Sequence, residues 1–284
     1  MADRVFGIDV SLYQKGFDFS KAASEGVKFV IVKASEDTFV DPEFVNNYGA
    51  AKKAGLGVGC YHFLHGTSVD EARHEARFMI DNCLKGRVFE YPVFVDVEYS
   101  KLTSLSKDEL SSVVSAFCNA LEDAGYWAGF YTNLDWYRNH LNGERLAARY
   151  SFWLAFWGKN EATDDCQMWQ FGGSVNLIRD NKVAGVVCDQ DYSLRDFPAM
   201  IAAKGLNGLK SSSKPDTDTV LKVGDKVKLK PDAVVYGTDT KFFPWVYDAT
   251  LYVRETSGNR IVVSTQKTGA VTGAVDKKYV VKVK

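Results

Sequence analysis

Short apolar runs alternate with amphipathic segments over roughly the first 200 residues of the 284-residue chain. This alternation is typical of parallel strands joined by crossover helices. Two of the helical segments begin with a capping box, in which Ser68 pairs with Glu71 and Ser106 with Glu109. The apolar runs that predict strands lie at residues 5–10, 28–33, 57–62, 92–98, 127–131, 152–156, 167–170 and 186–188.

The eight predicted strands are enough to close a barrel. Helical patterning weakens after Tyr150, where apolar runs follow one another without clear amphipathic segments between them. The first part of the chain is therefore predicted to have an α/β fold, an irregular TIM-like β/α barrel with reduced helices in its last part.

A different pattern begins beyond the barrel. Residues 204–219 read KGLNGLKSSSKPDTDT, which is poor in apolar residues and predicts a flexible linker. Over residues 220–284, five short stretches alternate apolar and polar residues at period two, which predicts a small antiparallel all-β barrel. The expected organisation is a β/α barrel over residues 1–203, a linker over residues 204–219 and a second domain over residues 220–284.

The composition is that of a globular protein, with 46% hydrophobic and 25% charged residues, and it excludes a disordered or fibrous chain. The net charge of −1 argues against nucleic acid as a partner, because such binding needs a basic excess. The charge is unevenly divided. From residue 215 onward 12 Lys and Arg stand against 8 Asp and Glu, a net of +4, which leaves −5 for residues 1–214.

The sequence offers no signal for membrane insertion, export, metals or cofactors. No run approaches the roughly 18 apolar residues of a membrane span, and the N-terminus lacks the apolar core of a signal peptide, so a cytoplasmic protein is expected. The four histidines have no metal-ligand spacing, and phosphate-binding glycine motifs are missing. The five cysteines form no C-x-x-C pair and are expected to be reduced.

Carboxylates cluster where predicted strands end. Asp9 closes the first strand, Asp96 and Glu98 close the fourth, and Asp189 and Asp191 follow a late apolar run. In β/α barrels such strand ends carry the chemistry, and residues two apart in a strand face the same side. Hydrolysis of a glycosidic bond needs such a pair, one carboxyl to donate a proton and one ionised partner. Repulsion between clustered acids raises the pKa of one of them and so supplies the donor.

Aromatic residues cluster at the same strand ends, and they suit a sugar ligand because apolar sugar faces stack on aromatic rings. Packing in the core or at the rim explains any one of them, so only the clustering counts. The set comprises Tyr13, Tyr61, Phe63, Tyr99, Tyr131, Trp136, Trp157 and Trp169.

Seven segments in chain order resemble the motifs of glycoside hydrolase family 25, the Chalaropsis-type lysozymes common among phage endolysins. They are GIDVSLYQ (7–14), FVIVKASED (29–37), GVGCYHF (57–63), PVFVDVE (92–98), AGFYTN (128–133), MWQF (168–171) and VVCDQDY (186–192). The resemblance implies an irregular β/α barrel that cleaves the β-1,4 bond between N-acetylmuramic acid and N-acetylglucosamine in peptidoglycan glycan strands.

The resemblance also implies roles for individual residues. Glu98 would be the general acid and Asp96 the second carboxylate, with Asp9 and Asp189 completing an acidic floor. The saccharide groove would be lined by Lys33, Tyr61, Tyr131, Trp169 and Gln170, with Asp191, close to the acidic floor, also in contact with substrate. Where the family usually has Glu-Gly, this chain has Glu36 and Asp37, which affects the geometry of that loop.

The reaction route stays open at this level. A covalent retaining route, an inverting route and attack by the substrate's own N-acetyl group all use two carboxyls, and the resemblance favours net retention. Two other classes of function compete with a hydrolase. One is a non-catalytic carbohydrate-binding protein on a hydrolase-like barrel, and the other is a barrel enzyme acting on small anionic metabolites.

The last 65 residues resemble the bacterial SH3-like modules appended to endolysins, in VGDKVKLK, PWVYD, LYVRE and KKYVVKV. Such a module is expected to bind an anionic wall polymer or a wall peptide, through its positive charge and a set of aromatic residues, Tyr236, Phe242, Phe243, Trp245 and Tyr252. The whole would be an endolysin, kept in the host bacterial cytoplasm without a signal peptide until a holin opens the membrane, and then acting on the cell wall.

Overall fold

The computed structural model describes residues 4–163, 166–209 and 221–283. The chain divides into two compact units, Met1–Ser212 and Ser213–Lys284. The start of the predicted linker differs from expectation, because Lys204 ends a helix and Asn207 is buried within the first unit, where its side chain accepts a hydrogen bond from Trp127 N–H at 2.7 Å. Residues 210–219 of that linker lie outside the described residues.

The first unit alternates strands and helices. Its strands are β1 (Val5–Val10), β2 (Phe29–Glu36), β3 (Phe39–Val40), β4 (Gly57–Phe63), β5 (Val93–Asp96), β6 (Ala128–Asn133), β7 (Ser151–Ala155), β8 (Met168–Gly172), β9 (Lys182–Val183), β10 (Val186–Val187) and β11 (Asp189–Ser193). Its α-helices are α1 (Phe19–Ser24), α2 (Phe44–Lys53), α3 (Val69–Met79), α4 (Lys107–Asp123), α5 (Gly143–Ala147) and α6 (Phe197–Lys204). Short 3-10 and π segments lie at Leu12–Gln14, Ile80–Leu84, Ser100–Ser104 and Trp136–His140.

Eight strands close the predicted barrel. The sheet runs β1-β11-β8-β7-β6-β5-β4-β2, and β1 also pairs with β2. The seven strands from β1 to β8 that form the barrel are parallel, whereas β11 is antiparallel to both β1 and β8. Among the described residues no helix lies between β7 and β11, as the weak patterning after Tyr150 predicted.

The prediction for the eighth strand was wrong in position. Residues 186–187 form β10, which pairs with β9 in a separate two-stranded sheet, and the barrel strand is β11. The apolar signal stopped at Cys188 because β11 begins with the polar run Asp189-Gln190-Asp191. Both acids of this run face the barrel interior. The strand was missed because its functional residues are polar and the prediction relied on apolar runs.

Aromatic side chains fill the barrel from its N-terminal end. Phe29 stacks on Tyr91 with ring centroids 4.3 Å apart, and Phe197 of α6 packs against Tyr91 from below. Close packing leaves no room for a side chain at Gly129, where a Cβ atom would lie 2.5 Å from the ring of Phe94. These aromatic rings close the N-terminal end of the barrel interior.

The longer helices begin as the sequence predicted. Ser68 caps α3 and Ser106 caps α4, and in both cases the backbone N–H of the serine donates the reciprocal bond to the carboxylate of the Glu three residues later. Each capping box satisfies backbone N–H groups that would otherwise be unpaired at the helix start. No helix in the described part of the chain is long and apolar enough to cross a membrane.

The second unit is a five-stranded antiparallel sheet with its own apolar core, which includes Val227, Leu251, Val253 and Val263. The elements are β12 (Lys226–Leu229), α7 (Pro244–Asp248), β13 (Leu251–Ser257), β14 (Arg260–Ser264), β15 (Gly273–Asp276), a 3-10 turn (Lys277–Tyr279) and β16 (Val280–Lys282). The strand order is β15-β14-β13-β12-β16, and each pairing is antiparallel.

Candidate active site

Strand register brings the predicted carboxylates to one end of the barrel. Asp9, near the end of β1, lies opposite Asp189, at the start of β11, because these two strands run antiparallel. Asp96 ends β5 and lies opposite Tyr131 of β6. Glu98 follows two residues after Asp96, beyond the hydrogen-bonded part of the strand. The open end of the barrel is therefore acidic.

Gln170 holds the side chain of Asp9 in place. The Tyr131 hydroxyl and the Trp157 indole N–H both donate to Gln170 Oε1, at 2.9 Å each. These two donors fix the amide orientation, so the Nε2 group donates to Asp9 Oδ2 at 2.8 Å. Burial and the nearby carboxyls of Asp191 and Asp189 raise the pKa of Asp9, and the bond from Gln170 opposes that rise.

Asp191 lies beneath this floor. Its side chain is fully buried, and the Trp153 indole N–H donates to its Oδ1 at 2.8 Å. Burial raises the pKa of Asp191 to about 8, although the bond from Trp153 acts in the opposite direction. The prediction that Asp191 contacts substrate was wrong, because its carboxyl is fully buried and does not line the groove.

Asp96 and Glu98 differ in accessibility. Asp96 is buried, and its Oδ1 has no hydrogen-bond partner within the described residues, whereas Glu98 is exposed to solvent. Burial, followed by the charge of Glu98, raises the pKa of Asp96. Partial loss of hydration in the cleft raises the pKa of Glu98. Burial and the charge of Glu98 raise the pKa of Asp189 to about 6.

Lys33 supplies positive charge to this acidic group. Its charge lowers the pKa values of both Asp96 and Glu98. The ammonium group forms an ion pair with Glu36 and lies 5.2 Å from the centre of the Phe63 ring. Lys33 thus favours the ionised form of at least one carboxyl in the pair.

The two predicted groove tyrosines remain protonated phenols. Tyr61 is half-buried and Tyr131 is buried. Burial, followed by the nearby carboxylates, raises the pKa of each far above its ordinary value. Each can therefore donate a hydrogen bond, and Tyr131 already does so to Gln170.

Trp169 does not line the groove, and this expectation was wrong. The side chain is fully buried, its indole N–H donates to the Phe156 carbonyl at 2.9 Å, and its ring packs against Phe171. Neighbouring residues in a strand face opposite sides, so Trp169 must point outward when Gln170 points inward. That alternation was available in the sequence.

Trp157, and not Trp169, is the partly exposed tryptophan beside Gln170. It follows β7, keeps 37% of its surface exposed and bonds to Gln170. The sequence placed Trp157 in the aromatic cluster, but no motif marked it. Among residues 4–163, 166–209 and 221–283, no group of three or more His, Cys, Asp or Glu residues could hold a metal ion.

Comparison with known proteins identifies the family of the chain. Residues 8–178 match the family model of glycosyl hydrolases family 25, which is more than half of the chain. The chain belongs to glycosyl hydrolases family 25. Relatives of this family 25 chain include the autolytic lysozyme of Clostridium acetobutylicum, 31% identical over 178 residues, and the N,O-diacetylmuramidase of Chalaropsis sp, 27% identical over 197 residues.

The matches cover the first unit and part of the relatives. The aligned region is 61% of this family 25 chain in both cases, and it is 52% of the Clostridium protein and 93% of the Chalaropsis protein. The chain thus spans about half the length of the Clostridium relative. Among solved structures, muramidase from Trichobolus zukalii is 28% identical with a TM-score of 0.59, covering 71% of this chain and 99% of that one. The CTP1L endolysin is 26% identical with a TM-score of 0.57, covering 69% and 68%.

Proposed function

We propose that this family 25 hydrolase is a muramidase that cleaves the β-1,4 bond between N-acetylmuramic acid and N-acetylglucosamine in peptidoglycan. The observation that carries the proposal is the Asp96–Glu98 pair at the open end of the barrel, with one carboxyl buried, one exposed, and the pKa of both raised. Relatives named lysozyme, N,O-diacetylmuramidase and muramidase support it.

Glu98 is the general acid in this proposal. A carboxyl with a raised pKa retains its proton at a pH where an ordinary glutamate has lost it, and exposure lets it reach the glycosidic oxygen of a long glycan strand. In a retaining route, ionised Glu98 then accepts a proton from the attacking water. Asp96 must be ionised to stabilise the oxocarbenium-like transition state, and the charge of Lys33 favours that form.

Asp96 acts as a nucleophile, as the orienting partner of the substrate's N-acetyl group, or as the base of an inverting reaction. Its Oδ1 without a partner among the described residues suits all three routes, because each needs a free carboxylate oxygen at the anomeric side. Proton NMR of the first-formed anomer separates retention from inversion. We expect retention, as the family resemblance implies.

The second unit is proposed to be an SH3-like wall-binding module, and the whole chain an endolysin released from the host cytoplasm through a holin. An anionic wall polymer or a wall peptide is the proposed ligand. The net charge of +4 from residue 215 onward and the exposed side chains of Tyr236, Phe243 and Trp245 support it. Phe242 packs in the core of this unit and is unavailable to a ligand.

One assay tests the activity. We expect the protein to clear suspensions of Gram-positive cell walls and to release reducing ends without new free amino groups. That result distinguishes a muramidase from a carbohydrate-binding protein, from an amidase and from an enzyme of small metabolites. Mass analysis of the fragments shows whether muramic acid or glucosamine carries the new reducing end.

Glu98→Gln is the decisive variant. It keeps the size of the side chain but cannot donate a carboxyl proton, so we expect activity to fall by about 10³-fold with an unchanged circular dichroism spectrum. Glu144→Gln, an exposed carboxyl on α5, is the matched control and is expected to keep full activity. A Glu98→Gln protein with more than about a tenth of the activity would disprove the assignment of the general acid.

A further inference from the structure

A groove of about 570 Å³ begins at Tyr99, the residue that follows Glu98. It is lined by Asp37, from the turn between β2 and β3, by His65, from the loop after β4, and by Lys101, from the 3-10 segment after β5. Helix α3 contributes four further lining residues, Asp70, Glu71, His74 and Glu75. The groove thus lies between α3 and the segments that follow β2, β4 and β5.

Stacked rings connect the groove to the acid pair. The His65 and Tyr99 rings stack with centroids 4.3 Å apart and planes 18° apart. Phe63 packs its ring against both, at 5.4 Å from His65 and 6.1 Å from Tyr99. Phe63 also lies opposite Asp96 in the register between β4 and β5. The groove therefore adjoins the end of the strand that carries Asp96.

A buried hydrogen-bond network fixes the position of His65. Glu75 of α3 accepts the backbone N–H of His65 at 3.1 Å, and its Oε2 lies 2.7 Å from His62 Nε2. His62 Nδ1 in turn lies 2.8 Å from the hydroxyl of Ser35 on β2. All three side chains are buried, so α3, β2 and β4 together hold His65 in position. The groove is preorganised, which lowers the entropy that a ligand must lose on binding.

Two charged side chains of the groove, Asp37 and Lys101, have no ion-pair partner within the described part of the chain. The Lys101 ammonium lies 5.6 Å from the centre of the Tyr99 ring. The other acids that line the groove are engaged: Asp70 pairs with Arg73, Glu71 accepts the backbone N–H groups of Thr67 and Ser68, and Glu75 belongs to the buried network. Glycan strands are uncharged at their N-acetyl and hydroxyl groups, so the carboxylate of Asp37 and the ammonium of Lys101 suit a ligand that carries both an ammonium and a carboxylate group.

We propose that this groove binds the peptide branch of the muramic acid residue, with a free ammonium group of the peptide at Asp37 and a carboxylate at Lys101. The inference rests on the proposed muramidase function. Muramic acid lies on one side of the cleaved bond and carries the peptide through its lactyl group, so the branch leaves the glycan beside the acid pair. The groove makes the enzyme selective for glycan strands that still carry peptides.

Asp37→Asn is the test variant. Asp37 has a φ of 46°, a left-handed conformation that Asn also tolerates, so the substitution removes the charge and leaves the backbone unstrained. Asp123→Asn is the matched control. Asp123 is exposed at the end of α4, which precedes β6 and so lies at the opposite end of the barrel.

The substrates are three preparations of one peptidoglycan: strands with peptides, the same strands after an amidase has removed the peptides, and strands whose peptide amino groups have been acetylated. On peptide-bearing strands we expect Asp37→Asn to lower kcat/KM by about fivefold, the range of a partly exposed ion pair. On stripped and on acetylated strands we expect Asp37→Asn and the unmodified protein to be equal. Asp123→Asn is expected to match the unmodified protein on every substrate.

Two results would overturn the inference while leaving the muramidase function intact. One is an equal effect of Asp37→Asn on all three substrates, and the other is the absence of any effect on peptide-bearing strands. If the unmodified protein hydrolyses none of the three, the proposed function itself fails and the peptide groove fails with it.

Discussion

Gln170 shows how much of the site depends on single side chains. Its amide accepts from Tyr131 and Trp157 and donates to Asp9, a residue 161 positions earlier in the chain. Gln170 is almost fully buried, so its role is to orient the acidic floor. The carboxyls of that floor have raised pKa values, and this has consequences for stability as well as for activity.

Asp191 makes folding stability depend on pH. Burial favours its neutral form, so the folded state holds the proton more tightly than the unfolded chain. This contribution to stability is complete below the unfolded pKa near 4 and is lost as pH rises through the folded value of about 8. We expect Asp191→Asn, which can still accept the Trp153 bond, to raise the Tm at pH 9 by about 3 °C or more relative to the unmodified protein.

Thermal unfolding at several pH values measures this effect. At pH 4 the two proteins are expected to differ far less than at pH 9, since Asp191 is then protonated in the folded state and about half protonated in the unfolded state. An Asp191→Asn protein that loses stability steadily from pH 4 to pH 9, in parallel with the unmodified one, would show that other carboxyls carry the dependence.

Lys33 is expected to set the alkaline limit of activity. Its positive charge lowers the pKa of Glu98, so its removal makes the Glu98 proton harder to lose. We predict that Lys33→Met moves the alkaline limb of kcat/KM toward higher pH, while Lys33→Arg, which keeps the charge, leaves it in place. The measurement is reducing-end release as a function of pH. An unchanged limb in Lys33→Met would mean that a group other than Glu98 is titrating.

At the scale of elements, the strand pairing decides where the carboxylates meet. β11 runs antiparallel to its neighbours, and this direction brings its first residue, Asp189, to the same end of the barrel as the last residues of the parallel strands. A parallel eighth strand would place its first residue at the closed end, against the aromatic packing around Phe29 and Tyr91.

The packing of the barrel interior gives a test of the fold. A methyl group at Gly129 would lie 2.5 Å from the Phe94 ring and 2.7 Å from the Ser151 carbonyl oxygen, so Gly129→Ala is expected to destabilise the protein by about 1–3 kcal/mol. Gly49 of α2 has no atom within 4 Å of the same position. Gly49→Ala is thus a matched control, expected to stabilise by about 0.5–1 kcal/mol because alanine favours the helix.

Urea denaturation of the two variants measures both effects. Equal stability of Gly129→Ala and the unmodified protein would indicate that Phe94 can move aside, and that the interior of the barrel is looser than the structure shows.

At the scale of the whole molecule, the chain carries two units of opposite net charge. The acids of the first unit include the proposed catalytic pair, and the basic excess of the second suits an anionic wall. Attaching a wall-binding unit to a hydrolase raises the local concentration of substrate without altering the active site.

A chain that ends at Ser212 tests this division, because each unit has a core of its own. We expect the shortened chain to hydrolyse soluble glycan fragments at the full rate but to clear intact walls about 10²-fold more slowly. Salt is expected to weaken wall binding by the full chain. If the isolated second unit fails to bind Gram-positive walls at every salt concentration, its positive charge does not serve wall binding.

Local features were predictable from the sequence. The capping boxes of α3 and α4 each involve residues three positions apart, and the first seven barrel strands follow from short apolar runs. The carboxylates could be found because they end such runs, and strand pleating placed Asp96 and Glu98 on one side. What the sequence determined by itself is therefore what neighbouring residues decide: periodicity, caps and strand ends.

The tertiary structure decided the rest. The partner strands of β11, the hydrogen bond of Trp157 and the network from Ser35 to Glu75 all join residues distant in the sequence. The pKa shifts belong here too, because burial is their largest cause and burial depends on the whole barrel. A sequence shows which carboxylates can meet, and only packing fixes which of them water can reach.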